Sequence, residues 1–218
     1  MRGPIVIAGG GPAGALLATY LGRAGHSVTV YESRPDLRVS EVDAGRSINL
    51  ALATRGIVPL IDIGVIDRVD EITIPMRGRM VHAVDDPDPV LQPYGSKTHE
   101  VIHSVGRTGL NAILLDAAEA TGNVELVFGR SIDRVDLETS TIHFADGGSA
   151  EFGVILGADG AGSPVRTAMT DAGSCVWNAD RLDHDYKELT LPAGPTGEHQ
   201  LDRNALHIWP RGEFMLIA

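Results

Sequence analysis

Apolar residues near the start of the chain fall in short clusters punctuated by glycine. Ile5-Val6-Ile7-Ala8 is an unbroken apolar run, which predicts a short buried parallel strand. Glycines follow at Gly9, Gly11 and Gly14, and Leu16, Leu17 and Tyr20 then recur at helical spacing, so a helix opens out of the turn. Gly25 stands where that helix should stop, and residues 27–31 predict a second strand ending in Glu32. Residues 37–47 are polar and irregular. Residues 48–56 lead into a helix with Ile57, Leu60 and Ile61 on one face, closed by Gly64, and 65–71 predict a further short helical piece. Residues 74–84 alternate as one strand, which places Arg77 and Arg79 on the same face. A strand is expected at 101–105. From Arg107 a helix carries Leu110, Ile113, Leu114 and Ala117 at i, i+3, i+4 and i+7, with Gly122 beyond its end. Strands are expected at 124–128, 132–137 and 141–144, with Asp146-Gly147 as a hairpin turn. Residues 152–156 form another buried strand, delivering Gly157-Ala158-Asp159-Gly160 ahead of a short helix. An irregular polar stretch from 171 to 186 precedes strands at 188–191, 206–209 and 214–217. Strands alternating with helices predict an α/β fold with a parallel sheet.

Gly9, Gly11 and Gly14 have the G-x-G-x-x-G spacing of a dinucleotide turn. Each glycine has its own task there: a tight bend, close approach of backbone to a diphosphate, and close packing of helix on strand. The helix start adds free N–H groups and the positive end of a dipole. Glu32 comes about 20 residues later, where an acidic side chain holds the ribose of an adenosine. The turn does not distinguish FAD from NAD. Arg34 suits stacking on or pairing with the dinucleotide, and equally a solvated turn. Arg79 on its own reads as a strand arginine paired to Asp85 or Asp86. His99-Glu100-Val101-Ile102-His103 matches the zinc peptidase pattern H-E-x-x-H. That chemistry requires a helix, and this β-branched run favours a strand, where residues four apart are separated by about 13 Å. No metal site is expected.

Composition narrows the setting. A net charge of −11 argues against nucleic acid or an anionic membrane surface as partner. Cys175 is the single cysteine, so no intrachain disulfide can form, and a cytoplasmic location is expected. The first apolar run stops after four residues, unlike a signal peptide, and no run approaches the ~20 apolar residues of a spanning helix.

The two glycine turns together resemble the FAD aromatic hydroxylase family, which has the p-hydroxybenzoate hydroxylase fold. Within it, several blocks are similar to the kynurenine 3-monooxygenases. These are Gly45-Arg46-Ser47-Ile48-Asn49-Leu50-Ala51-Leu52, Met76-Arg77-Gly78-Arg79-Met80, Ser104-Val105-x-Arg107, Tyr186-Lys187-Glu188-Leu189-Thr190 and Leu206-His207-Ile208-Trp209-Pro210-Arg211. The resemblance implies a Rossmann-like FAD-binding domain at 1–73 and 100–182, and part of a mainly antiparallel β substrate domain at 74–99 and 183–218. It implies that Gly9, Gly11, Ala13 and Gly14 line the FAD diphosphate and that Glu32 holds the adenosine ribose. Ser33, Arg34, Ala51 and Arg107 complete the FAD site, with Asp159 and Gly160 at the diphosphate and ribityl edge. Arg79 and Tyr94 match the pair that grips the substrate carboxylate. NADPH reduces the flavin, which delivers one oxygen atom of O₂ to the aminoaryl ring of L-kynurenine, ortho to the amine. No side chain is expected as an essential acid or base, since the cofactor carries the chemistry.

Members of that family are about twice as long and carry a Gly-Asp turn in their later half, a dipeptide this chain lacks. The sequence ends in the apolar pattern Phe214-Met215-Leu216-Ile217. It therefore reads as an N-terminal half whose exposed sheet edges favour self-association. Activity is expected of the parent enzyme rather than of these residues alone. The alternatives are another aromatic hydroxylase of the same fold, or a non-catalytic nucleotide-binding module.

Overall fold

The computed structural model describes residues 3–39, 49–97, 100–185 and 187–218. Gly45–Ile48, His99 and Tyr186, which figure in the reading above, lie outside the described residues. Along the chain come β1 (Ile5–Ala8), α1 (Pro12–Arg23), β2 (Val28–Glu32), β3 (Asn49–Leu52), α2 (Thr54–Asp62), α3 (Ile66–Asp70), β4 (Thr73–Met76), β5 (Gly78–Val81), β6 (Val90–Pro93) and β7 (Ile102–Gly106). They continue with α4 (Arg107–Glu119), β8 (Val124–Phe128), β9 (Ile132–Asp136), β10 (Thr141–Phe144), β11 (Ser149–Glu151), β12 (Val154–Gly157), α5 (Pro164–Asp171), β13 (Leu206–Arg211) and β14 (Phe214–Ile217). The chain divides into two compact units, Met1–Gly45 with Thr108–Asp185 and Arg46–Arg107 with Tyr186–Ala218.

The first unit is built on a parallel sheet in the order β12-β1-β2-β8. β1 is apolar throughout because both of its faces are covered. Val6 faces a core with Val135, Ile142, Phe144, Phe152 and Val165, drawn from α5 and the antiparallel sheet β11-β10-β9 and its flanks. Ile7 faces the opposite way, among Ala18 of α1, Val28, Val30 and Ala118 of α4. Ile7 is fully buried, worth roughly 2–3 kcal/mol for such a side chain. α1 begins with Pro12, whose ring pre-sets the helical φ, and ends with Arg23 in its last turn, followed by Gly25 at φ +83°. Ser163 caps α5: the Arg166 N–H donates to its Oγ at 3.0 Å.

The second unit holds two sheets, β3-β7-β4, which is antiparallel, and β14-β13-β5-β6, which is antiparallel except for the β13–β5 pair. The seam between β13 and the end of β5 is tied by His82 Nε2 and His207 Nδ1 at 2.9 Å, with the His82 ring stacked on Trp209.

The α/β class with a parallel sheet and antiparallel sheets agrees with the sequence. Three local expectations do not hold. The run 74–84 is two strands in different sheets, broken at Arg77, whose N–H donates to Asn204 O at 2.8 Å. Arg77 and Arg79 thus have no common strand face. Residues 188–191 are irregular, with Leu189 and Leu191 exposed, since no neighbouring strand takes up their alternation. Ile61, expected on the buried face of α2, is exposed, and Ile63 just beyond the helix is buried instead.

Candidate functional site

Parallel pairing sets the two glycine turns side by side. Ala8 at the end of β1 is in register with Gly157 at the end of β12, and the Ala158 N–H donates to Ala8 O at 2.8 Å. Both turns therefore leave the carboxyl edge of one sheet, where ligands of open α/β sheets bind. Gly9 has φ +97°, and a Cβ there would stand 2.5 Å from Ala158 O and 3.0 Å from Asp159 Cα. A Cβ on Gly14 would stand 1.9 Å from Gly9 O. Side chains at these positions are excluded by backbone, not by movable groups. Gly11, the residue before α1, has nothing within 4 Å of its missing Cβ, and no side chain caps the helix among the described residues. The result is a bare backbone cradle at a helix start, suited to a diphosphate.

Glu32, at the end of β2, is buried and accepts hydrogen bonds through both carboxylate oxygens. Its Oε2 accepts the Gly10 N–H at 2.8 Å, and its Oε1 accepts the Arg34 N–H at 3.0 Å and Arg34 Nε at 2.9 Å. The Ser33 hydroxyl lies 3.3 Å from the same Oε1. Burial pushes the carboxyl pKa up, but the Arg34 guanidinium and the Arg34 and Gly10 amides outweigh it, so the group sits below its ordinary value. Arg34 is fixed by this pair while its side chain stays largely open. Asp159 Oδ2 accepts the Val165 N–H at 3.3 Å, spanning the second turn onto α5. Gly160 has φ +80°.

The structure thus brings together Gly9, Gly11, Ala13, Gly14, Glu32, Ser33, Arg34, Asp159 and Gly160 in the first unit. Ala51 and Arg107 belong to the second unit: Ala51 pairs with Ser104 across β3 and β7, and Arg107 opens α4. Arg79 and Tyr94, also in the second unit, lie together, with the guanidinium carbon 5.5 Å from the ring centroid. Among the described residues Arg79 has no carboxylate partner, so the pairing to Asp85 or Asp86 is not made. The Tyr94 hydroxyl is buried and has no hydrogen-bond partner among the described residues. An open pocket of about 1000 Å³ lies elsewhere in this unit, with Leu50, Ala51, Ile74, Met76 and Met215 among its walls. His103 of the H-E-x-x-H match lies on β7 and contacts the Thr73 hydroxyl through Nδ1 at 3.3 Å.

Two residues that the pattern did not single out support the turns, and a third ties the segment after β2 to α4. Asn111 on α4 is buried, and its Nδ2 donates to Gly10 O at 3.1 Å. Its sequence trace is one polar residue inside an apolar helix face. Arg166 donates to Gly160 O at 3.2 Å and to Ala161 O, and it stacks over Trp177. Arg38, in a stretch expected to be irregular, binds Asp36 and reaches Asp116 and Glu119 on α4; these carboxylates, Asp36 foremost, raise its pKa further.

A sequence family described as FAD binding domain matches residues 2–173. The chain is 43% identical over 219 residues to kynurenine 3-monooxygenase of Myxococcus xanthus, covering 98% of this chain and 47% of that protein. It is 42% identical over 216 residues to kynurenine 3-monooxygenase of Dictyostelium discoideum, covering 99% and 46%. It spans about half the length of the curated relatives it matches. Among solved structures, P. aeruginosa PqsL in complex with 2-aminobenzoylacetate shares the fold, with a TM-score of 0.63 at 22% identity over 94% of this chain and 54% of that one. So does p-nitrophenol 4-monooxygenase PnpA from Pseudomonas putida, with a TM-score of 0.63 at 20% identity over 77% and 43%.

Proposed function

We propose, from the premise that this chain belongs to the FAD binding domain family, that it serves an FAD-dependent, NADPH-using monooxygenase that hydroxylates L-kynurenine to 3-hydroxykynurenine. The observation that carries the flavin part is the meeting of the Gly9 turn with Ala158 and Asp159 at one sheet edge. The substrate part is supported by likeness to kynurenine 3-monooxygenases along nearly the whole chain.

The residues fit the cofactor: the cradle at Gly9 and Gly14 admits backbone alone, Gly11 is open, and the helix start is uncapped. The N–H groups of Ala13 and Gly14 and the α1 dipole hold the diphosphate. Glu32 and Ser33 hold the adenosine ribose, and Arg34, kept in place by Glu32, lies along the adenosine. Asp159 and Gly160 serve the ribityl edge. Ala51 and Arg107 are assigned to FAD by resemblance alone. On this reading residues 1–73 and 100–182 form the FAD-binding domain, and 74–99 and 183–218 belong to the substrate domain. Bound FAD, reduced by NADPH, supplies the oxygen-transfer chemistry. The chain's own residues contribute binding, orientation and electrostatics.

Arg79 and Tyr94 form the anion clamp. A guanidinium and a buried hydroxyl without a partner are what an amino-acid carboxylate needs on desolvation. Arg79→Ala is expected to raise KM for L-kynurenine about 10–100-fold, the loss of a charge-assisted hydrogen bond, with flavin affinity unchanged. Steady-state NADPH oxidation checks this, with the decarboxylated amine as control; equal losses for both compounds would refute the clamp.

The deciding experiment for the function is a flavin titration of the protein followed by NADPH oxidation over a panel of aminoaryl acids. Selective stimulation by L-kynurenine, with 3-hydroxykynurenine identified by mass, supports it. Selective stimulation by another compound points to a different hydroxylase. Flavin uptake without substrate-dependent oxidation points to a nucleotide-binding module.

We also propose self-association through β14, an edge strand on which Phe214, Met215, Leu216 and Ile217 are all exposed. Light scattering is expected to show species larger than 23.1 kDa, and a monodisperse monomer would refute it.

A further inference from the structure

We propose that Asn111 is a positioning residue for the dinucleotide diphosphate, acting through the peptide between Gly10 and Gly11; the inference rests on the FAD reading above. Gly10 is held from both sides. Its N–H donates to Glu32 Oε2 at 2.8 Å, and its carbonyl accepts from Asn111 Nδ2 at 3.1 Å. The two grips come from β2 and α4, on residues 32 and 111, which are remote from each other in the chain.

The consequence follows from peptide geometry. In a planar trans peptide the C=O and the following N–H point to opposite sides. Drawing the Gly10 carbonyl toward Asn111 therefore turns the Gly11 N–H away from α4. Gly11 is the residue of the turn whose missing side chain meets nothing within 4 Å. One donor of the cradle is thus aimed by a side chain on another helix before any ligand arrives.

Packing alone does not call for an asparagine at this position. Asn111 is 3% exposed, on a helix face it shares with Leu114, Leu115 and Ala118 at i+3, i+4 and i+7. Its Oδ1 is buried without a hydrogen-bond partner among the described residues. Leucine would fill the site without the orphaned Oδ1, at the cost of the donor to the Gly10 carbonyl. Turning the amide over would set Oδ1 against Gly10 O, acceptor on acceptor, so the bond to Gly10 fixes the orientation. The amide is accounted for by what it does to the turn, not by what it adds to the core.

The test compares Asn111→Leu and Asn111→Ala, the second removing the amide without adding bulk. If Asn111 aims the turn, FAD affinity by flavin fluorescence falls about 10–100-fold. The thermal midpoint of N111L stays close to that of the wild type, since added apolar burial offsets the lost bond to Gly10. Wild-type FAD affinity in both variants, or an affinity loss that only tracks a falling midpoint, overturns the proposal. If the wild type takes up no FAD, the functional reading fails, while this inference is still decided in the ligand-free protein. Hydrogen exchange at the Gly10 amide then accelerates at least about tenfold in the variants if Asn111 holds the turn. Unchanged exchange overturns it.

Discussion

Gly14→Ala is expected to lower the thermal midpoint by several degrees and to abolish measurable FAD uptake. A methyl at Gly14 would lie 1.9 Å from Gly9 O and 3.1 Å from Gly9 C. Both are backbone atoms, so no rotamer change relieves the clash, and α1 must move off the turn. Overpacking of this kind costs about 1–3 kcal/mol. At roughly 2–4 °C per kcal/mol for a chain of this size, the shift is several degrees by calorimetry. Gly11→Ala is the control. Gly11 has φ −69° and ψ 179°, ordinary for any residue, and open space around it. Its midpoint is expected to stay put while FAD affinity falls, because the methyl occupies the approach of the diphosphate. Equal midpoints for G14A and the wild type would refute the packing argument.

Glu32→Gln is expected to reduce FAD affinity about 10–100-fold and to lower stability by about 1.5–3 kcal/mol near neutral pH, the worth of hydrogen bonds to a charged group. The stability effect should depend on pH. The carboxyl is held below its ordinary value in the folded protein, so its contribution is complete above the unfolded value of about 4.3. That contribution fades as pH falls through the lower folded value. The midpoint gap between wild type and E32Q is therefore expected to be widest at neutral pH and to close below about pH 4. Thermal melts from pH 3 to 7 check this, and a gap independent of pH would remove the charge from the account.

Much of the first unit was legible because its signals are local and agree with one another. The apolar run at Ile5, the glycine spacing, Pro12 and the acidic end of β2 all predict the same unit, and the structure contains it. The adjacency of the second turn was legible only through family resemblance, since no local pattern states that β12 pairs with β1. Alternation failed at residues 74–84, because period two cannot tell one strand from two that change sheets at Arg77. It failed again at Leu189 and Leu191, where the pattern exists without a partner strand. In α4 the heptad-like count placed Ala117 inward, whereas Ala118 and Asn111 are buried. Asn111 left a trace as a polar residue in an apolar helix, but its partner was illegible, because the bond to Gly10 joins residues 101 apart.

The central strand has one neighbour close in sequence and one remote. Ile5 pairs with Val28 and also with Val154. During translation, at about 5–20 residues per second, the ribosome needs on the order of ten seconds to synthesise the stretch that supplies the second neighbour. Until then the nascent chain displays an unzipped hydrophobic rim and an incomplete anion cradle, so chaperone capture of the ribosome-bound intermediate is expected to be strongest before residue 157 emerges.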